Sequence, residues 1–197
     1  MMIRWYYERR LQRSLTVLPR EICFMITEED MIEAPQKIVE VAGWCRDAGL
    51  EAATFHISTD DPGRIAPCLP EIRKIASIGR LNLHIGDRIE TTGEGMNVIV
   101  AVGKSGREEI AACIRNIAAE EICADEIDEA VIERHLTFRC APDLVIKTGG
   151  NYLTDFLIWQ SVYSEFFFLD VNWTLFRKID FLRALRDFGA RKRRFGA

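Results

Sequence analysis

Between Pro142 and Phe176 the sequence PDLVIKTGGNYLTDFLIWQSVYSEFFFLDVNWTLF sets three structural signals end to end. Leu144, Val145 and Ile146 form a short apolar run, closed by Pro142 on one side and by Gly149-Gly150 on the other. Such a run predicts a strand buried on both faces, and strands of that kind belong to parallel sheets covered by helices. Thr154 or Asp155 is placed to cap a helix reaching about Tyr163. The paired glycines would let backbone N–H groups approach a ligand just ahead of that helix N-terminus, a geometry suited to phosphate. Glu165 and the run Phe166 to Leu169 then read as a last buried strand, with Trp173 and Phe176 in its covering loop, because aromatics carry much of core burial.

With 197 residues and 48% hydrophobic content, the chain predicts one domain with a substantial core over 21–197, preceded by an amphipathic basic helix within 1–20. No apolar stretch approaches the roughly 20 residues of a membrane span, and no secretory signal is seen, which predicts a cytoplasmic protein. The six cysteines and three histidines are scattered without a C-x-x-C pair, so buried thiols are expected rather than disulfides or a zinc site.

The net charge of −4 conceals two basic ends: residues 1–20 carry five Arg and one Glu, and residues 183–197 carry six Lys/Arg and one Asp. Nucleic-acid binding is not expected, since neither end has the interleaved stacking aromatics or recognition helix it requires. In Met1 to Leu15, Ile3, Tyr6, Tyr7 and Leu11 fall on one helical side. That helix suits either a membrane surface or docking on protein, and its short apolar face favours docking.

The rest of the chain alternates strand and helix. Strands are predicted at Glu21–Thr27, Ala52–Ser58, Leu81–Ile85 and Asn97–Val102, and helices at Ile32–Ala48, Ile110–Ala119, from Ala124 onward, and at Ile179–Ala190. The fold expectation is therefore α/β, with a mostly parallel sheet of about six strands flanked by helices. Ligands of open α/β sheets sit at the carboxyl ends of the strands, which directs attention to Thr27-Glu28-Glu29-Asp30 and to Ser58 through Arg64. The three acids suit either the first turn of a helix or a new Mg²⁺ site. Gly103-Lys104-Ser105 is not a phosphate loop, because the first glycine of that motif would fall at Val98, inside a strand.

Asp-Leu-Val-Ile, a cation and Thr-Gly-Gly at 143–150, followed by Phe-Leu-Ile-Trp-Gln-Ser-x-Tyr-Ser-Glu-Phe-x-Phe at 156–168 and Asp-Val-x-Trp at 170–173, resemble the cis-prenyltransferases, the undecaprenyl and dehydrodolichyl diphosphate synthase family. Ser58-Thr59, Gly86-Asp87, Gly106-Arg107-x-Glu109-Ile110 and the terminal Arg194-Phe195-Gly196 extend the resemblance along nearly the whole chain. It implies a diphosphate pocket near Lys147, Gly149 and Gly150, a subunit interface through Phe156, Trp159, Glu165 and Phe166, and a tail that carries Arg194 and Gly196 to a neighbouring subunit's diphosphate. Glu165 is the residue it offers toward Mg²⁺.

Several family groups are replaced. Thr27 stands where the family has the Asp that helps hold Mg²⁺, and Glu28 to Asp30 replace glycines and an Arg that hold the allylic diphosphate. Lys147 replaces Arg, Asp61-Pro62 replaces Asn-Trp, and a basic insert before the following helix is absent. The pattern is similar to the non-catalytic, Nogo-B receptor type subunit of heteromeric cis-prenyltransferases. It implies an accessory role beside a catalytic subunit that binds most of the Mg²⁺ and condenses isopentenyl with allylic diphosphate. The alternatives are a homodimeric synthase with a rearranged metal site and a Rossmann-like binding module.

Overall fold

The structure is a computed structural model, and it describes residues 2–86, 88–120, 122–150 and 156–191, with side chains from residue 6 onward. Seven strands form one sheet among these residues: β1 (Glu21–Thr27), β2 (Ala52–Ser58), β3 (Arg80–Ile85), β4 (Arg88–Thr92), β5 (Asn97–Val102), β6 (Leu144–Thr148) and β7 (Glu165–Leu169). Their order is β4-β3-β5-β2-β1-β6-β7, and every neighbouring pair is parallel except β3 with β4. The central strands are buried on both faces, as in a helix-covered parallel sheet.

The helices are α1 (Met2–Arg13), α2 (Glu28–Glu33), α3 (Lys37–Asp47), α4 (Leu69–Arg73), α5 (Gly106–Ala119), α6 (Glu129–His135) and α7 (Lys178–Ala190). On one face of the sheet Phe24 stacks on Phe55, ring centres 5.1 Å apart, and Trp173, Phe176, Phe181 and Trp44 close around them. On the other face Cys23, Met25, Ala101 and Val145 pack on Phe138, Phe156 and Leu157. Five of the six cysteines are buried and Cys123 is exposed. No helix among the described residues is long and apolar enough to cross a membrane.

The α/β fold with a mostly parallel sheet is as expected, and four details differ. The sheet has a seventh strand, β4, whose Arg-Ile-Glu-Thr-Thr has no apolar stripe because it lies on an open edge, where charge discourages further pairing. The helix expected over Ile32–Ala48 is two helices, since Pro35 lacks an N–H and interrupts the ladder, while Thr27 starts α2 earlier. The helix N-terminal to Glu129 is a short 3-10 turn at Ala124–Glu126, and α6 starts only after Asp128, whose side chain accepts from Val131 N.

The fourth correction bears on the site. Residues 156–163 form turns rather than a helix, and Thr154 and Asp155 lie outside the described residues. Leu157 adopts φ 53°, left-handed backbone that a helix of L-residues cannot propagate through. Burial drives this conformation: Phe156 and Leu157 are 2% and 0% exposed, drawn under the sheet, with Phe156 stacked on His56 at 4.0 Å.

Candidate active-site cleft

The carboxyl ends of β1, β2 and β6 meet where an open α/β sheet binds its ligand. Thr27 ends β1, and its Oγ1 accepts from the Asp30 backbone N–H at 3.2 Å, capping α2. Glu28, Glu29 and Asp30 are thereby the first turn of that helix, where carboxylates suit the backbone dipole. Glu28 is 6% exposed; Arg64 contacts it at 2.6 Å, and Thr59 Oγ1 donates to its other oxygen. Asp61 Oδ1 accepts from Gly63 N at 2.9 Å, closing a tight turn after β2.

Around these groups lies a cavity of about 230 Å³ lined by Glu28, Glu29, Ser58, Thr59, Asp60, Asp61 and Arg64. Four carboxylates therefore face one guanidinium. A diphosphate entering here meets like charge: one such pair at about 4 Å costs on the order of 1 kcal/mol in water and about 4 at a partly shielded site.

Mg²⁺ does not fit the residues present. Thr27 is committed to its cap and Glu28 to Arg64 and Thr59. Among the described residues no three His, Cys, Asp or Glu side chains converge to hold a metal ion. Glu165 is equally committed, accepting from Arg191 Nη1 at 2.9 Å, while Arg191 also pairs with Asp187 at 2.6 Å.

Lys147, Gly149 and Gly150, where the resemblance implies a diphosphate pocket, lie at and just after the end of β6. Lys147 is 1% exposed, and its ammonium donates to Thr148 O at 2.7 Å. Burial lowers its pKa, opposed by the charge of Asp30. Gly149 adopts φ 69° and gives its N–H to Leu169 O and Val171 O, both at 3.1 Å, so it closes the turn after β6 and offers no donor to a phosphate. Gly150, at φ 139°, completes the reversal. Arg194 and Gly196 lie outside the described residues.

At the expected interface, Phe156 belongs to the chain's own core and cannot present its ring to a partner. Trp159 is half-buried against Cys113, Ile117, Val131 and Leu136, and it lines a cavity of about 690 Å³ beside α6. Phe166 is half-buried against the cluster of Cys23, Met25 and Val145. The apolar side chains turned outward are Ile158, Val162, Tyr163 and Phe168, beside the open edge of β7.

What holds that segment is Glu109, a residue known from sequence only as part of a matching motif. Its buried carboxylate accepts from Phe138 N at 2.8 Å and from Gln160 Nε2 at 3.2 and 3.3 Å, tying α5 to two loops. Burial raises its pKa, and those same hydrogen bonds oppose the rise. Glutamate in the first turn of α5, four residues after the capping Ser105, was the visible signal, but it reads equally well as a dipole partner.

The family described as putative undecaprenyl diphosphate synthase matches residues 80–196, which begins at β3 and so lies beyond the acidic cleft. A short-chain Z-isoprenyl diphosphate synthase of Mycobacterium leprae is 37% identical over 246 aligned positions, covering 96% of this chain and 94% of the relative. That span exceeds the 197 residues of the chain, so the relative carries residues with no counterpart here. A (2Z,6E)-farnesyl diphosphate synthase of Thermobifida fusca is 35% identical, covering 96% and 95% of the two chains. A crystal structure of lavandulyl diphosphate synthase from Lavandula x intermedia with dimethylallyl diphosphate superposes with a TM-score of 0.74, covering 91% of this chain and 99% of that one at 22% identity, a likeness of fold. By these matches the chain belongs to the cis-prenyltransferase family of undecaprenyl diphosphate synthase-like proteins.

Proposed function

We propose that this protein serves the condensation of isopentenyl diphosphate with an allylic diphosphate, as the non-reacting subunit of a cis-prenyltransferase assembly. The observation that supports this reading is the cleft at the ends of β1 and β2, lined by four carboxylates beside a capping threonine, where the family resemblance points to diphosphate and Mg²⁺. The partner subunit would bind Mg²⁺ and both diphosphates. This chain would contribute the surface around Trp159 and Tyr163 and the Arg194-to-Gly196 tail.

A second reading, a synthase that works on its own with a rearranged site, is favoured by the comparisons, since the relatives are named as synthases of short-chain Z-isoprenyl and (2Z,6E)-farnesyl diphosphate. The two readings separate on ligand binding. Titration of the isolated chain with isopentenyl and farnesyl diphosphate in Mg²⁺ should give no saturable heat if the cleft repels them. Saturable binding that is lost on removing Mg²⁺ would establish the second reading.

A further inference from the structure

The two most basic stretches of the sequence contribute to α1 and α7, and these two helices pack together. Residues 1–20 and 183–197 hold 11 of the 26 basic side chains and 2 of the 30 acidic ones, and α1 packs along α7. Leu11 is 3% exposed and joins Leu185 and Phe188 in the core. The Arg183 guanidinium lies 5.9 Å from the centre of the Tyr7 ring. Further along, the chain crosses α7 at Gly189, where a Cβ would stand 2.9 Å from Val17 O.

With Leu11 turned inward, Arg10, Arg13, Arg183 and Arg186 remain exposed on the helix pair. Tyr6 is 67% exposed, Val17 54% and Leu18 38%, so apolar groups are interleaved with the guanidiniums. The acids of these helices add little opposing field: Glu8 is half-buried and engaged, Asp180 is buried against Arg177 and Arg183, and Asp187 pairs with Arg191.

We infer that the α1/α7 face docks on the surface of an anionic lipid bilayer. The arginines bind headgroup phosphates, while Tyr6, Val17 and Leu18 enter the boundary between headgroups and acyl chains, the combination that holds interfacial helices. A nucleic acid would use the charge but leave Val17 and Leu18 without a partner, whereas a bilayer uses both. The net charge of −4 makes the rest of the molecule repel the same surface, which orients it with this face down.

The test is co-sedimentation of the full chain with vesicles of phosphatidylcholine alone and of phosphatidylcholine mixed with phosphatidylglycerol. Binding to the mixed vesicles only, weakening as salt is raised, is the expected result. The triple substitution Arg10→Gln, Arg13→Gln, Arg186→Gln should weaken it about a hundredfold, at about fivefold per arginine, with the melting curve unchanged. Leu18→Asn should weaken it further at constant charge. Equal binding to both vesicles, no binding to either, wild-type binding by the triple variant, or tighter binding to an RNA duplex than to mixed vesicles would each overturn the inference. Vesicle binding needs no turnover, so its failure leaves the prenyl-transfer reading standing.

Discussion

Glu28 and Arg64 contact each other at 2.6 Å across the mouth of the cleft, the carboxylate buried and the guanidinium largely exposed. The pair reverses the polarity a diphosphate site requires, because the cation present is spent on the chain's own acid. Removing Arg64 leaves a buried carboxylate with only Thr59 and water as partners. Arg64→Ala should therefore destabilise the fold by about 1–2 kcal/mol, less than a fully buried pair because Arg64 is exposed. Chemical denaturation measures this, and an unchanged midpoint would show that the pair is incidental.

Glu109 gives a prediction with a pH signature. Burial raises its native pKa above the unfolded value, so the native state holds its proton more tightly than the unfolded chain does. Its contribution to stability is then greatest at low pH, falls as pH rises from the ordinary glutamate range through the raised native value, and is level above it. Glu109→Gln should flatten that segment of the stability profile. Glu109→Ala, which leaves the buried Phe138 N without its acceptor and Gln160 Nε2 with only Phe138 O, should cost about 2–3 kcal/mol. Equal pH profiles for wild type and Glu109→Gln would contradict the assignment.

Most of the fold was legible because its strands are short apolar runs between turn residues, and β2 and β5 fall where those runs begin and end. β4 was not, since an exposed edge strand of charged and hydroxyl residues carries no burial pattern. The turns at 156–163 were hidden for a different reason: Phe156, Leu157 and Trp159 fit helical spacing, and only the long-range pull of His56 and Glu109 decides otherwise. The acidic character of the cleft was visible in Glu28, Glu29, Asp60 and Asp61, but the commitment of Glu28 to Arg64 was not, because 36 residues separate them. The resemblance offered Lys147 as a phosphate ligand, and its burial follows from the parallel sheet on both sides of β6.

The outward apolar residues of the 158–168 segment should hold the partner. Tyr163 and Val162 are each 67% exposed, so Tyr163→Glu and Val162→Glu should leave a folded chain. Loss of an interface anchor costs about 2 kcal/mol or more, which is a weakening of assembly by at least about thirtyfold. Size-exclusion chromatography with the partner reads this directly, and unchanged co-elution of both variants would move the interface elsewhere.

The tail makes a separable prediction. A guanidinium from Arg194 on a partner's diphosphate is worth roughly 1.5–3 kcal/mol, so Arg194→Ala should lower kcat/KM of the complex by about one to two orders of magnitude while assembly persists. Arg191 bridges Glu165 and Asp187, so Arg191→Ala would loosen β7 from α7. Lys192→Ala is the better comparison and should cost little. Equal turnover in the Arg194 and Lys192 variants would remove the tail from the mechanism.

The central claim is that this chain holds no reacting site of its own, and isopentenyl transfer measures it directly. Product formation from isopentenyl and farnesyl diphosphate in Mg²⁺ is followed for the purified chain alone and after mixing with a family member that retains the metal-binding Asp. The account predicts no product from the chain alone and, in the mixture, turnover above that of the second protein by itself. Sustained Mg²⁺-dependent turnover by the chain alone would contradict it.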